Sequence, residues 1–301
     1  MRLVYTLLSP ICCCSMEDGD DKKAAELTPA ERNRALAALE TTGRALASGG
    51  GWLGRHILAG GAFLGRRIAA AYRAIDPDVH RHLAQLPLLS YSLFCKRHEE
   101  IEPGEPDGFP PLVLVHGLGG NRGTFLLLGW YLWLVGRKRS YRIAFEPGQS
   151  IEEQAEALAA FVRDVLAATG EAQVEMVGHS LGGLVARLAV QEHGLAERVR
   201  TLVTMGAPHR GTYPARYANT AQIRALRPDS PLIRRLAGRP FPASVRAVCL
   251  WSQNDLFVLP PESAVLEGAE AVDMTPFTHY SYLLDPDGWN AVRRALEGGR
   301  A

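Results

Sequence analysis

From residue 111 onward, short apolar runs alternate with amphipathic stretches. Leu112-Val113-Leu114-Val115 is a continuous apolar run that ends in His116-Gly117, as a strand buried on both faces would. Residues 125–135 are apolar and aromatic and predict a helix, and residues 141–145 predict a strand. Ser150 opens a long amphipathic helix, with Ala155, Leu158, Phe161, Val162 and Val165 at helical spacing. Residues 174–177 read as a strand running into Gly178, and residues 184–191 as the helix after it. Two more strands are expected over 199–205 and 245–251, and a closing helix over 289–296. Strands alternating with helices predict an α/β fold, with a mostly parallel central sheet covered by helices on both faces.

The first part of the chain follows another pattern. Residues 1–105 read as a helical, Gly-rich N-terminal extension, and residues 106–301 as the α/β domain. Thr28-Pro29-Ala30-Glu31 combines a cap, a first-turn proline and a capping-box acid, so a helix should run toward Thr42. Glycines around Trp52 weaken helix there; further helices are expected over 66–75 and from Asp76-Pro77.

Charge adds a local feature to this extension. Residues 41–75 hold five Arg and no Asp or Glu, although the whole chain carries a net charge of only +1. With Trp52, Leu53, Ile57, Leu58, Phe63 and Leu64 among them, residues 44–73 suit contact with an anionic membrane surface; they suit equally a helical arm packed on the rest of the chain. The most apolar stretch, residues 57–65, is flanked by Arg on both sides and is too short to span a bilayer, which takes about 20 residues.

The apolar run 3–11 is broken by Ser9-Pro10, resembles a secretory signal only weakly and does not meet a lipoprotein pattern; an unstructured start or a misassigned start codon is the plainer reading, and acylation of Cys12, Cys13 or Cys14 the other. Five cysteines, three of them adjacent, make no closed disulfide framework. A cytoplasmic or peripherally membrane-associated protein is therefore expected, rather than a secreted one. Nothing in the charge balance suggests nucleic acid, and no CxxC pair or His cluster suggests a metal.

Candidate chemistry centres on Gly178-His179-Ser180-Leu181-Gly182, followed by Gly183. Strand, sharp turn and helix is the setting that lifts a serine hydroxyl clear of a sheet, which makes Ser180 the candidate nucleophile. The plain alternative is an ordinary Gly-rich strand–helix connection. A serine needs a base, and the base should follow it in the chain, after an acid. His279, in the loop before the last helix, fits better than His193 or His209. Asp255, just after the strand at 245–251, is the candidate acid; Asp273 competes but lies close to His279 along the chain. An oxyanion needs two N–H donors. Leu181 follows the nucleophile, and Leu118 lies in His116-Gly117-Leu118-Gly119-Gly120, a loop His116 is expected to brace.

These motifs, with Gly206-Ala207-Pro208-His209-Arg210-Gly211-Thr212 and Val258-Leu259-Pro260-Pro261-Glu262-Ser263-Ala264 after Asp255, resemble bacterial lipases and esterases of the α/β-hydrolase superfamily. The likeness runs over about residues 111–296 and leaves the N-terminal extension outside it. It implies the α/β-hydrolase fold and a Ser180–His279–Asp255 triad. It also implies hydrolysis of small-molecule or lipid esters through an acyl-enzyme, without metal or organic cofactor. Residues 212–243 fall where such enzymes carry a cap over the acyl pocket, although a helix packed on the surface without gating fits the same residues. Three other readings stay open: a thioesterase or acyltransferase on this fold, a non-catalytic binding protein that keeps it, and a scaffold attached to membranes by the N-terminal arm.

Overall fold

The computed structural model describes residues 101–298 and eight helical positions near the N-terminus, Pro29, Ala30, Arg32, Asn33, Leu36, Ala37, Glu40 and Arg44. The helices expected over 66–75 and from Asp76, the basic segment beyond Arg44, the run 3–11 and Cys12 to Cys14 lie outside the described residues.

The chain from residue 101 alternates as its pattern predicts. Its elements are β1 (Leu112–Val115), α1 (Leu126–Leu134), β2 (Ser140–Arg142), α2 (Ile151–Thr169), β3 (Val174–His179), α3 (Leu181–Glu192) and β4 (Val199–Met205), then α4 (Ala221–Ala225), α5 (Pro231–Ala237), β5 (Arg246–Trp251), β6 (Glu270–Asp273), α6 (Ser281–Leu284) and α7 (Pro286–Glu297). The strands form one sheet in the order β2-β1-β3-β4-β5-β6. Every neighbouring pair is parallel. β2 is shorter than the apolar run at 141–145 suggests, because pairing with β1 stops at Arg142. β6 was not evident from the pattern: it is an edge strand with only Val272 partly buried, so its apolar signal is weak.

Residues of the central strands β1, β3 and β4 feed two cores, one on each face of the sheet. Val113 and Val115 of β1 join Val174 and Met176 of β3 under α2, α3 and α5. Leu112 and Leu114 join Val177, Val203 and Val248 under α1, α6 and α7. Both faces are therefore covered, which is why the central strands are apolar on both sides. Right-handed crossovers account for the distribution of helices. The step from β1 to β2 runs one way along the sheet and the steps from β2 onward run the other way, so their helices fall on opposite faces. The chain reverses direction between β1 and β3, and in open parallel sheets ligands bind beyond the carboxyl ends of strands at such a reversal.

Local chemistry fixes the element ends. Ser150 accepts from the Glu153 N–H while Glu153 accepts from the Ser150 N–H, a closed capping box at the start of α2. α2 stops at Gly170, whose φ of 70° suits glycine. The short helix α5 buries Leu232, Ile233 and Leu236 in the core beside α3. From the N-terminal helix, Leu36 packs on the core under α1 and α7, and Arg44 comes within 3.5 Å of Asp287.

Candidate active site

The turn between β3 and α3 is held by close contact. Ser180 has φ 55° and ψ −127°, and among the described residues it is the single non-glycine residue with positive φ. Such a backbone costs on the order of 1–3 kcal/mol and persists only where the surroundings enforce it. Here three glycines do. A Cβ on Gly178 would sit 2.6 Å from Gly183 Cα, one on Gly182 2.2 Å from the Val115 oxygen, and one on Gly183 2.5 Å from Ala207 Cβ. The Ser180 N–H donates to the Met205 carbonyl at 2.9 Å, which pins the turn to β4.

The loop after β1 lies against this serine. A Cβ on Gly117 would be 2.9 Å from Ser180 Cβ and 3.4 Å from its Oγ. The Gly120 N–H closes a tight turn onto the Gly117 carbonyl at 3.1 Å, with Gly119 at φ 68°. Leu118 is the second residue of that turn, so the turn hydrogen bond leaves its N–H unused. Leu181 opens α3, and a first-turn N–H has no acceptor within its own helix. His116 braces the loop as expected, donating from Nδ1 to the Gly117 carbonyl at 3.0 Å and packing edge-on to Phe145. Burial lowers its pKa.

Asp255 and His279 meet at the same end of the sheet. His279 Nδ1 lies 2.8 Å from Asp255 Oδ2 and 3.0 Å from Oδ1. Both residues are buried, and Asp255 Oδ1 also accepts the Phe257 N–H at 2.9 Å. Gly206, at φ 54°, makes the room: a Cβ there would be 2.7 Å from Asp255 Oδ2 and 3.3 Å from His279 Nδ1. Asp273 stands apart from this pair, since its carboxylate accepts the N–H and hydroxyl of Thr275 in its own turn. His209 is buried behind the sheet end, sharing a hydrogen bond with Thr204 Oγ1 at 3.1 Å.

Three residues were not singled out by sequence reasoning. His179 donates from Nε2 to the His279 carbonyl at 2.8 Å, so the residue before Ser180 holds the backbone of the candidate base. Burial, then the neighbouring His279 charge, pulls the His179 pKa down to about 3, so its ring stays neutral. Its place inside the serine motif was the available signal. Phe257 stacks on the His279 ring with centroids 4.8 Å apart, for which the sequence carries no signal. Arg187, on α3, donates to the carbonyls of His209 and Leu236 and to Gln191, tying α5 and the loop after β4 to the helix behind Ser180. Burial lowers its pKa to about 10. Among the described residues no group of three His, Cys, Asp or Glu could hold a metal ion. No described helix is long and apolar enough to cross a membrane.

Comparisons with known proteins agree with this architecture. A family model described as a PGAP1-like alpha/beta domain matches residues 139–222, a stretch that includes Ser180 but neither Asp255 nor His279. A triacylglycerol lipase of Pseudarthrobacter phenanthrenivorans is 31% identical over 110 residues, 34% of this chain and 34% of its own. One of Burkholderia plantarii is 31% identical over 110 residues, 34% of this chain and 30% of its own. The chain thus spans about a third of the length of these curated relatives. Among solved structures, the mature form of a Bacillus licheniformis lipase has a TM-score of 0.56 at 19% identity, covering 66% of this chain and 96% of that one. Aspergillus fumigatus lipase B has a TM-score of 0.56 at 16% identity, covering 98% of this chain and 84% of that one. The chain has the α/β-hydrolase fold of these lipase structures, and over about a third of its length it is similar in sequence to triacylglycerol lipases.

Proposed function

We propose that this protein hydrolyses carboxylic esters through a Ser180–His279–Asp255 triad and an acyl-enzyme intermediate. The observation that carries the reading is the buried Asp255–His279 pair, 2.8 Å apart, at the sheet end that also holds the strained Ser180. With Nδ1–H committed to Asp255, the neutral imidazole keeps its lone pair on Nε2, the nitrogen that acts as base. His279 takes the Ser180 proton as Oγ attacks the ester carbonyl. The Leu118 and Leu181 N–H groups stabilise the developing oxyanion, and Asp255 stabilises the imidazolium. His279 then protonates the leaving alcohol. Water, activated by the same imidazole, cleaves the acyl-enzyme. Small-molecule or lipid esters are the substrate class. The lipases among its relatives favour lipid esters over thioesters.

The test is turnover of a p-nitrophenyl ester series from acetyl to palmitoyl, with labelling by a fluorophosphonate. The expected result is hydrolysis and labelling by the native chain, both lost in Ser180→Ala, with kcat down by at least about 10³-fold. A native chain that neither cleaves these esters nor takes the label would overturn the proposal and favour a binding role for the fold.

A further inference from the structure

The segment between β4 and β5 carries charge out of proportion to the rest of the chain. Residues 210–239 contain seven arginines (Arg210, Arg216, Arg224, Arg227, Arg234, Arg235 and Arg239), no lysine and one carboxylate, Asp229, in a chain of net charge +1. Some of these charges are used within the fold. Arg235 meets Glu152 and Glu192, and the Arg227 guanidinium donates to the carbonyls of Ala215 and Ala218. Arg216 and Arg224 are exposed, and among the described residues neither has a carboxylate within salt-bridge distance.

The same stretch exposes its aromatic residues. Tyr217 is 94% exposed and Tyr213 is 51% exposed, with the Arg216 guanidinium 5.4 Å from the Tyr213 ring centroid. Arg224 donates to the Asn219 carbonyl at 2.7 Å, which anchors it to the turn that follows Tyr217. This patch adjoins the candidate site. The Tyr213 N–H donates to the Leu259 carbonyl at 2.9 Å, and Thr212 Oγ1 donates to the Phe257 carbonyl at 2.9 Å. Phe257 stacks on His279, and both it and Leu256 are large apolar side chains left exposed. Free cations beside amphipathic rings and an apolar rim suit a boundary where anionic headgroups meet acyl chains.

We propose that the face formed by Tyr213, Arg216, Tyr217 and Arg224 docks this protein on an anionic lipid surface, with the mouth of the candidate site toward the bilayer. The guanidinium groups meet headgroup phosphates and carboxylates. The tyrosine rings settle at headgroup depth, and Leu256 and Phe257 face the acyl region. These residues belong to the segment between β4 and β5, a different part of the sequence from residues 44–73, and the docking needs no catalytic step.

The experiment is co-sedimentation of the full chain with vesicles of phosphatidylcholine alone and of phosphatidylcholine containing about a third phosphatidylserine. The native chain should bind the anionic vesicles at least about tenfold better than the neutral ones. Arg216→Glu/Arg224→Glu should lose that preference, whereas Arg216→Lys/Arg224→Lys should largely keep it. Tyr217→Ser should weaken binding by about threefold. Each variant is checked for native melting and for unchanged turnover of a soluble short-chain ester. The inference is overturned if the native chain does not prefer anionic vesicles, or if charge reversal changes binding by less than about twofold. The latter result would assign binding to another segment. Equal capture by soluble poly-glutamate through the same arginines would replace the lipid by an acidic polypeptide and also overturn it. Vesicle binding without any ester turnover would leave the docking face standing and sink the hydrolase reading instead.

Discussion

Two buried carboxylates occupy opposite ends of the sheet, Asp255 beside a histidine and Glu175 beside two arginines, Arg137 and, at 3.5 Å, Arg200. At the carboxyl end, Asp255 meets His279 at 2.8 Å. At the amino end, Glu175 on β3 meets Arg137 at 2.5 Å, with the Arg137 guanidinium lying 4.4 Å from the Phe109 ring centroid. Burial and pairing do not tell the two apart. The partners do, because an imidazole can accept and release a proton in the neutral range and a guanidinium cannot. The surroundings also differ. The first pair lies where strands end in loops and a strained serine sits nearby, whereas the second lies where β3 runs beside β1 with Leu112 opposite Glu175. Under the proposed mechanism the first pair moves a proton, whereas the second holds the amino end of the sheet together.

The largest expected effect breaks the first pair. Asp255→Asn keeps the shape but removes the charge and the control of the His279 tautomer, so kcat should fall by about 10⁴-fold while the fold persists. Steady-state kinetics on a short-chain ester, beside a thermal melt, checks both halves. The matching change at the other end, Glu175→Gln, leaves Arg137 buried without its countercharge and should cost about 3–5 kcal/mol of stability. Turnover per folded molecule should stay near native. Should Glu175→Gln reduce kcat of the folded protein as strongly as Asp255→Asn does, the contrast between the two ends would fail.

How much of this was legible depended on how local the cause is. The serine turn was legible because steric contact dictates residue type: Gly178, Gly182 and Gly183 each approach another group too closely for a side chain, and the chain records this within six residues. Asp255 and His279 were legible at one remove, since a parallel sheet gathers the loops after its strands at one end. The order of strand, acid and base along the chain made them the candidates, and the structure brings the two together. The His179 bond to the His279 carbonyl joins residues 100 positions apart and leaves no periodic trace. Glu175 interrupts an apolar strand, but nothing in the pattern names Arg137 as its partner. β6 was missed because an edge strand with one partly buried residue has no alternation to read. The Arg-rich sequence of α5 did show apolar positions, and Leu232, Ile233 and Leu236 turn out to pack in the core.

A smaller perturbation sharpens the contrast within the carboxyl end. Gly206→Ala puts a methyl group 2.7 Å from Asp255 Oδ2 on a backbone with φ 54°. The pair must shift, and a displacement of about 1 Å at a catalytic group can cost about 10²-fold in rate. Turnover should fall by that order with a modest loss in melting temperature, because the strained backbone costs about 1–2 kcal/mol. A variant with native kcat would mean that the pair tolerates displacement, and its close fit would then carry no catalytic weight.

The smallest expected effect belongs to a histidine near the site that is proposed to take no part in the chemistry. His209 is fully buried, and burial, followed by the Arg187 and Arg210 charges, pulls its pKa from 6.5 to about 3. In the unfolded chain the ring takes up a proton near pH 6.5, whereas in the folded chain it stays neutral until about pH 3. Its contribution to stability is therefore complete above pH 6.5 and is lost progressively as pH falls toward 3. Each such histidine adds about 1.4 kcal/mol per pH unit to the slope in that window. Replacing it by glutamine, His209→Gln, keeps a hydrogen-bonding group near Thr204 but removes the titration. Urea unfolding between about pH 7 and 4 should give a shallower loss of stability than in the native chain, by about one proton's worth of slope. The kcat of the folded variant should remain within a few-fold of native. Parallel slopes for the two proteins would mean that His209 charges without unfolding, and that the region behind the site admits water.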